Sequence, residues 1–229
     1  MDRSIKTIPN ATLEHYQALL NSFLSFWDAM VRIPLSPHSR AADIEGPGWR
    51  NPDLPPLDAL SLYCILCLKN PKNYVEIGSG SSTRFARQAI SDCHLKTVIT
   101  VCDKLPYPGD PINLLADRRR RAPLPQVSRT IVNTLEKGDI LHVNTSTLPD
   151  QGMSVIIEEI IPNLPIGVFI QFRESPSGCE DTRGIEVFFP CADVSQDPGL
   201  CSILSPFWNE IGLGKDEGIG RSCWWIKNY

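Results

Sequence analysis

The chain has no excess of positive charge. Its 22 Lys and Arg are outnumbered by 26 Asp and Glu, giving a net charge of −4 and a pI near 5.6. Taken as a whole, such a surface does not draw a phosphate backbone or an anionic lipid face, so neither nucleic acid nor membrane is expected as a partner. Nor is there any run of 18 apolar residues, or an apolar stretch of signal type at the N-terminus; the expected location is cytoplasmic. A second C-x-x-C is absent too. Cys64 and Cys67 therefore lack the partner pair of a zinc ribbon and fit better in the apolar stripe of "LDALSLYCILCLKN". In a reducing compartment the eight cysteines are expected as thiols, and Cys179, Cys191, Cys201 and Cys223 are too irregularly spaced for a metal site. The run Arg118–Arg121 departs locally from the acidic balance. No aromatics interleave with it, so a solvated helix end or loop is expected.

What is present is the composition of a globular protein, 42% apolar and 21% charged over 229 residues, a length suited to one domain. Within it, residues 1–56 read as an N-terminal helix and loop that cap a core of residues 57–229. Leu13, Tyr16, Leu20, Phe23, Leu24, Trp27 and Val31 recur at helical spacing over 11–32. The Pro- and Gly-rich stretch 33–56 reads as a long loop, either a lid or binding segment or a plain surface connection. From there strands and helices alternate: helix 57–68, strand 74–77, helix 82–91, strand 97–103, strand 140–144, helix 152–161, strand 167–172 and a last strand in "SCWWIKNY". That order predicts an α/β fold, a mostly parallel sheet of Rossmann-like type with helices on both faces. Residues 176–200 have no assignable pattern.

The stretch "NYVEIGSGSSTRFARQAI", residues 73–90, carries the chemistry. Gly78 and Gly80 fall between the first strand and a helix, where bare backbone can come close to a ligand. The helix N-terminus beside them supplies N–H groups for a carboxylate or phosphate. Roughly 20 residues further on, Asp103 ends the next strand, where an acid can accept from both hydroxyls of a ribose. Turn and acid together predict a nucleoside-containing ligand. The Walker lysine is missing, and Thr83 stands at the third glycine position of a dinucleotide fingerprint, which argues against ATP by that route and against NAD.

"YVEIGSGSST", "VCDK", "LEKGDILHVN" and "IIPNLPIGVFIQF", in that order, resemble the class I S-adenosylmethionine-dependent methyltransferases, a small Rossmann-like branch of that family above all. The resemblance covers roughly residues 55–173, together with the closing "WWIKNY". It implies S-adenosyl-L-methionine as cofactor, with Glu76, Gly78, Ser79, Gly80 and Ser82 in the motif around its methionine part and Asp103 on its ribose. Gln126 falls beside the adenine, and Asn144 stands where the family has an aspartate at the end of its fourth strand. Without the family reading, Glu76 is a turn partner and Asp103 a strand-end cap.

Two strand ends depart from the family. "FIDSSH" is replaced by "HVNTST", and "HIHD" by "IQFRES", which places Asn144, Thr147, Gln171, Arg173 and Glu174 where carboxylates and histidines are usual. Mg²⁺ prefers hard anionic oxygens, so no metal is expected. His38 and Glu174 are the candidate catalytic bases; His142, alternating with Leu141 and Val143, is expected packed in a strand, and His15 and His94 on the surface. Three classes of function stay open: a methyltransferase acting on an oxygen or nitrogen atom of a small molecule, a methyltransferase-like fold turned to a non-methylating step such as a cyclisation in secondary metabolism, and a non-catalytic partner protein. A homodimer is compatible with each. Trp27, Trp49, Phe207 and Trp208 are expected either on the acceptor side of a pocket or in the core.

Overall fold

A computed structural model of the chain describes residues 10–37, 46–103, 114–148, 151–173, 185–189, 198–214 and 222–228. Seven strands form one sheet: β1 Asn73–Ile77, β2 Val98–Cys102, β3 Arg118–Arg120, β4 Ile140–Val143, β5 Phe169–Phe172, β6 Ile185–Phe189 and β7 Cys223–Lys227. Their spatial order is β3-β2-β1-β4-β5-β7-β6. Strands β1 to β5 pair in parallel, and β7 runs antiparallel to both neighbours. The strand order reverses its direction of travel between β1 and β4, the place where open α/β sheets carry a ligand crevice at the carboxyl ends of their strands.

Helices cover both faces, as the alternating pattern predicts. Helix α1 (Asn10–Phe23) continues through a 3₁₀ turn at Leu24–Phe26 into α2 (Trp27–Met30), so the helix expected over 11–32 is interrupted rather than continuous. On the same face lie α3 (Pro56–Lys69), α4 (Ser81–Asp92) and α7 (Pro198–Glu210). The opposite face holds α5 (Leu124–Thr134) and α6 (Gly152–Val155), the latter running on through a π turn and a 3₁₀ turn to Asn163. Strand alternation sorts the core accordingly: Tyr74, Ile140, Phe169 and Trp224 face α3, while Val75, Leu141, Ile170 and Trp225 face α5 and α6.

Helix α3 starts with Pro56 in its first turn, where the missing N–H costs nothing. It ends at Asn70, whose φ of 47° is the left-handed cap conformation. Every residue from Leu57 to Leu66 is buried, because α3 is wedged between the sheet, α1 and α4. In place of the expected single stripe, α3 is enclosed on all sides from Leu57 to Leu66 and open only in its last turn, where Leu68 is exposed. Cys64 is a buried thiol as expected, but Cys67 is not: it forms a disulfide with Cys93, tying the end of α3 to the end of α4. Spacing gave no hint of this pairing, since the two sulfurs meet only once the helices pack side by side.

Strand β3, helix α5 and strand β6, the last within the unassigned residues 176–200, are not legible in the sequence. The arginine run is not a helix end; Arg118–Arg120 forms the edge strand β3, parallel to β2. Charged side chains on an edge strand discourage pairing with another chain. Helix α5 follows at once, begun by the pair Pro123 and Pro125. No described helix is long and apolar enough to cross a membrane.

Candidate functional site

The turn after β1 lies where the sheet reverses. Gly78 has φ of +83°, a conformation costly for any residue with a side chain. A Cβ there would also fall 1.9 Å from Thr147 Oγ1. Close approach at Gly78 is therefore made by the chain's own Thr147, and the sequence expectation of ligand space beside both glycines is corrected at this one. At Gly80 a Cβ would meet nothing nearer than 3.8 Å, its neighbours being Asn144 Nδ2 and Asp53 Oδ2. Gly80 also caps α4, and its N–H donates to Thr83 Oγ1 over 3.1 Å. The first N–H groups of the helix proper have no intrahelical acceptor.

Asp103, directly after β2, faces this turn. Its Oδ2 accepts from Ser79 Oγ at 2.9 Å and from Ser79 N at 3.4 Å, and its own N–H donates to Arg120 O at 3.2 Å. Sheet pairing brings the two strand ends together, with Ile77 registered on Cys102. The acid and the glycine turn thus stand side by side at the same end of the sheet. Gln126 is exposed in the first turn of α5, two residues beyond its start.

Glu76 points the other way, into the interior. It is 0% exposed, and its carboxylate accepts from Ser82 Oγ and, at 2.6 Å, from Thr83 Oγ1. It holds the turn from inside and does not line the crevice. Burial pushes its pKa up to about 7 against the opposing pull of those two hydroxyls. Ser82 is buried with it.

Glu76 begins a polar row that sequence reading missed. Register places Glu76 opposite His142, His142 opposite Gln171, and Gln171 opposite Trp224, all on the face under α3. Gln171 Nε2 donates toward Asp58 O at 3.2 Å and Ser61 Oγ at 3.3 Å, so its Oε1 accepts from His142 Nδ1–H at 2.9 Å. Nε2 of His142 then carries a lone pair, 3.9 Å from Glu76 Oε1. Burial lowers the His142 pKa to about 4. This neutral, enclosed imidazole is packed, as its place in the strand predicts, and does not reach the crevice. Only cross-strand register could have revealed the row, because its members are at least 29 residues apart.

At the ends of β4 and β5 the family's acids are replaced by a neutral amide and a cation. Asn144 Oδ1 accepts from Arg173 Nη1 at 3.3 Å and Ser146 Oγ at 2.8 Å, and Arg173 also donates to Ser146 Oγ. Among the described residues no group of three or more His, Cys, Asp or Glu side chains could hold a metal. The two candidate bases, His38 and Glu174, lie outside the described residues.

The segment after residue 46 folds over this end of the sheet. Asn51 Oδ1 accepts from the N–H groups of Asp53 and Leu54, and its Nδ2 donates to Gly48 O, which closes the chain into a tight turn. Asp53 Oδ2 then accepts from Ser81 Oγ at 3.3 Å, pinning the segment to the start of α4. Trp49 is fully buried against Phe85, Phe207 and Trp208, with ring centroids 5.3–6.1 Å away; Trp49, Phe207 and Trp208 are thus core, and Trp27 Nε1 donates to Glu210. Beneath the turn is a cavity of about 450 Å³ lined by Trp49, Arg50, Pro52, Leu54, Arg173 and Leu213, among others.

No family model matches the chain, and no curated protein matches it. Solved structures similar to the chain include the following two. TrmN from Thermus thermophilus has 14% identity and a TM-score of 0.34, over 56% of this chain and 42% of its own; the chain thus spans under half of TrmN's length. The SAH-bound Podospora anserina methyltransferase PaMTH1 has 15% identity and a TM-score of 0.41, over 99% of both chains. The strand order, with a reversed β7 set between β5 and β6, is a mostly parallel α/β sheet with helices on both faces, as the sequence predicts.

Proposed function

We propose that the chain is an S-adenosyl-L-methionine-dependent methyltransferase acting on an oxygen or nitrogen atom of a small molecule, without a metal ion. The observation that carries this reading is Asp103 turned onto the glycine turn, 2.9 Å from Ser79 Oγ, at the sheet's reversal. The fit to an adenosyl cofactor rests on the room at Gly80 and on the N-terminus of α4 beside it. Asp103 would hold the ribose, the α4 N-terminus next to the open Gly80 the carboxylate of the methionine part, and Gln126 the adenine edge. Glu76 and Ser82 would support that turn from below. Asn144 would border the reacting end.

When bound, the cofactor supplies an already activated methyl group on a sulfonium. The chain's part is then to place an acceptor in line and exclude water. The Arg173 guanidinium stands on Asn144 where a metal-binding fold would gather acids, which supports a metal-free site. PaMTH1, a methyltransferase solved with SAH, agrees with the cofactor assignment.

Calorimetric titration of the purified chain with S-adenosylmethionine, S-adenosylhomocysteine and NAD tests the reading. Binding of both adenosyl compounds and not of NAD is expected; the reverse would overturn it. With a methyl-labelled cofactor, label should pass to an acceptor. Turnover that leaves the cofactor intact would move the chain to the non-methylating class.

A further inference from the structure

The cavity beneath the 46–55 segment has a chemical bias of its own. Of the described residues that line it, none is acidic, and two carry guanidinium groups, Arg50 and Arg173. The rest of the wall is made by Trp49, Leu54, Leu213 and three prolines, with the Asn51 amide as a further polar group. Two lining residues also hold buried donors without an acceptor among the described residues: Trp49 Nε1 and Arg173 Nε. A buried N–H left unpaired is destabilising, and an indole or guanidinium nitrogen can be satisfied only by an acceptor. Arg173 is itself oriented, because Nη1 is held by Asn144 Oδ1 at 3.3 Å and by Ser146. Asn144 in turn stands 3.8 Å from the Cβ position of Gly80. The cationic end of the cavity is therefore linked through one side chain to the turn assigned to the cofactor.

We infer that this cavity is the acceptor pocket and that it takes a small, largely apolar organic acid, gripped through its carboxylate by Arg173. Two acceptor-only oxygens match a planar guanidinium fork, and the proline, leucine and tryptophan walls match a ring or short hydrocarbon body. A volume of about 450 Å³ is in the range of small-molecule sites. An ordinary carboxylic acid is ionised at neutral pH, so recognition needs no proton transfer. The inference rests on the methyltransferase reading for the word acceptor, while the anion site stands on the cavity alone.

The test is a calorimetric titration of the full chain with cinnamate and, in parallel, with the isosteric neutral cinnamamide, each with and without S-adenosylhomocysteine. Cinnamate is expected to bind at least tenfold more tightly than the amide. Arg173→Gln should erase that preference, and Arg173→Lys should restore part of it; thermal melting of each variant checks that it is folded. Equal binding of acid and amide to the unaltered protein would overturn the inference without any variant, and so would no binding of either. S-adenosylhomocysteine binding without acid preference would sink the anion site and leave the cofactor reading standing. Acid preference without S-adenosylhomocysteine binding would do the opposite.

Discussion

Ser79 and Asp103 meet across the ends of two adjacent strands, hydroxyl to carboxylate, at 2.9 Å. Ser79 belongs to the glycine turn and Asp103 to the exit of β2, so this contact ties the two strand ends that the β1–β2 ladder brings together. It also fixes the carboxylate that the functional reading depends on.

Replacing Asp103 by Ala should weaken S-adenosylhomocysteine binding by about 1–3 kcal/mol, the worth of hydrogen bonds to a charged acceptor. The side chain is only half-buried, so the melting temperature should move little. Titration calorimetry and a thermal melt read the two quantities separately; unchanged affinity would discard the ribose role.

The two glycines of the turn should behave differently. Gly80 has extended backbone and open space, so Gly80→Ala should cost the fold less than about 1 kcal/mol, whereas Gly80→Val should abolish cofactor binding by filling the crevice. Gly78→Ala combines positive φ with a clash on Thr147 and should destabilise by about 2 kcal/mol or more. Urea unfolding of the ligand-free variants separates the cases.

The buried pair Glu76 and His142 should shape stability against pH in opposite senses. Burial raises the Glu76 pKa to about 7, so the folded state binds the extra proton and stability falls as pH rises from about 4.5 to 7. Burial lowers the His142 pKa to about 4, so the unfolded state binds the extra proton and stability rises from about pH 4 to 6.5. The two slopes offset each other between about pH 4.5 and 6.5. Glu76→Gln should leave only the histidine slope, seen as stability that climbs through that window in urea titrations at stepped pH. A flat profile in the variant would contradict the buried neutral histidine.

Reduction of the Cys67–Cys93 disulfide, which closes a loop of 26 residues, should cost about 3 kcal/mol through the freedom regained by the unfolded chain. Melting with and without dithiothreitol measures this, and Cys93→Ser should reproduce the reduced value.

Where local pattern alone decides structure, the reading from sequence held. Strand β1, the turn and α4 were legible because β-branched and aromatic residues, two glycines and a helical apolar period follow one another within 20 residues. Asp103 was legible for the same reason. Strand β3 was not, since three consecutive arginines carry no strand pattern and earn their place only by pairing with β2. Helix α5 was masked by the prolines at its start, which signal a turn as readily as a first helical turn.

The sequence by itself determined the alternation of strands and helices, the bare turn after the first strand and the acid after the second, because each is written in a contiguous stretch. Tertiary structure alone decided which way those groups point. Register turned Glu76 inward onto Ser82 and Thr83 and lined it up with His142 and Gln171. Helix packing joined Cys67 to Cys93, and the fold of the 46–55 segment set Trp49 and Arg173 on one cavity. These are contacts between residues far apart in the chain, and their geometry exists only after the hydrophobic faces of sheet and helices have closed on each other.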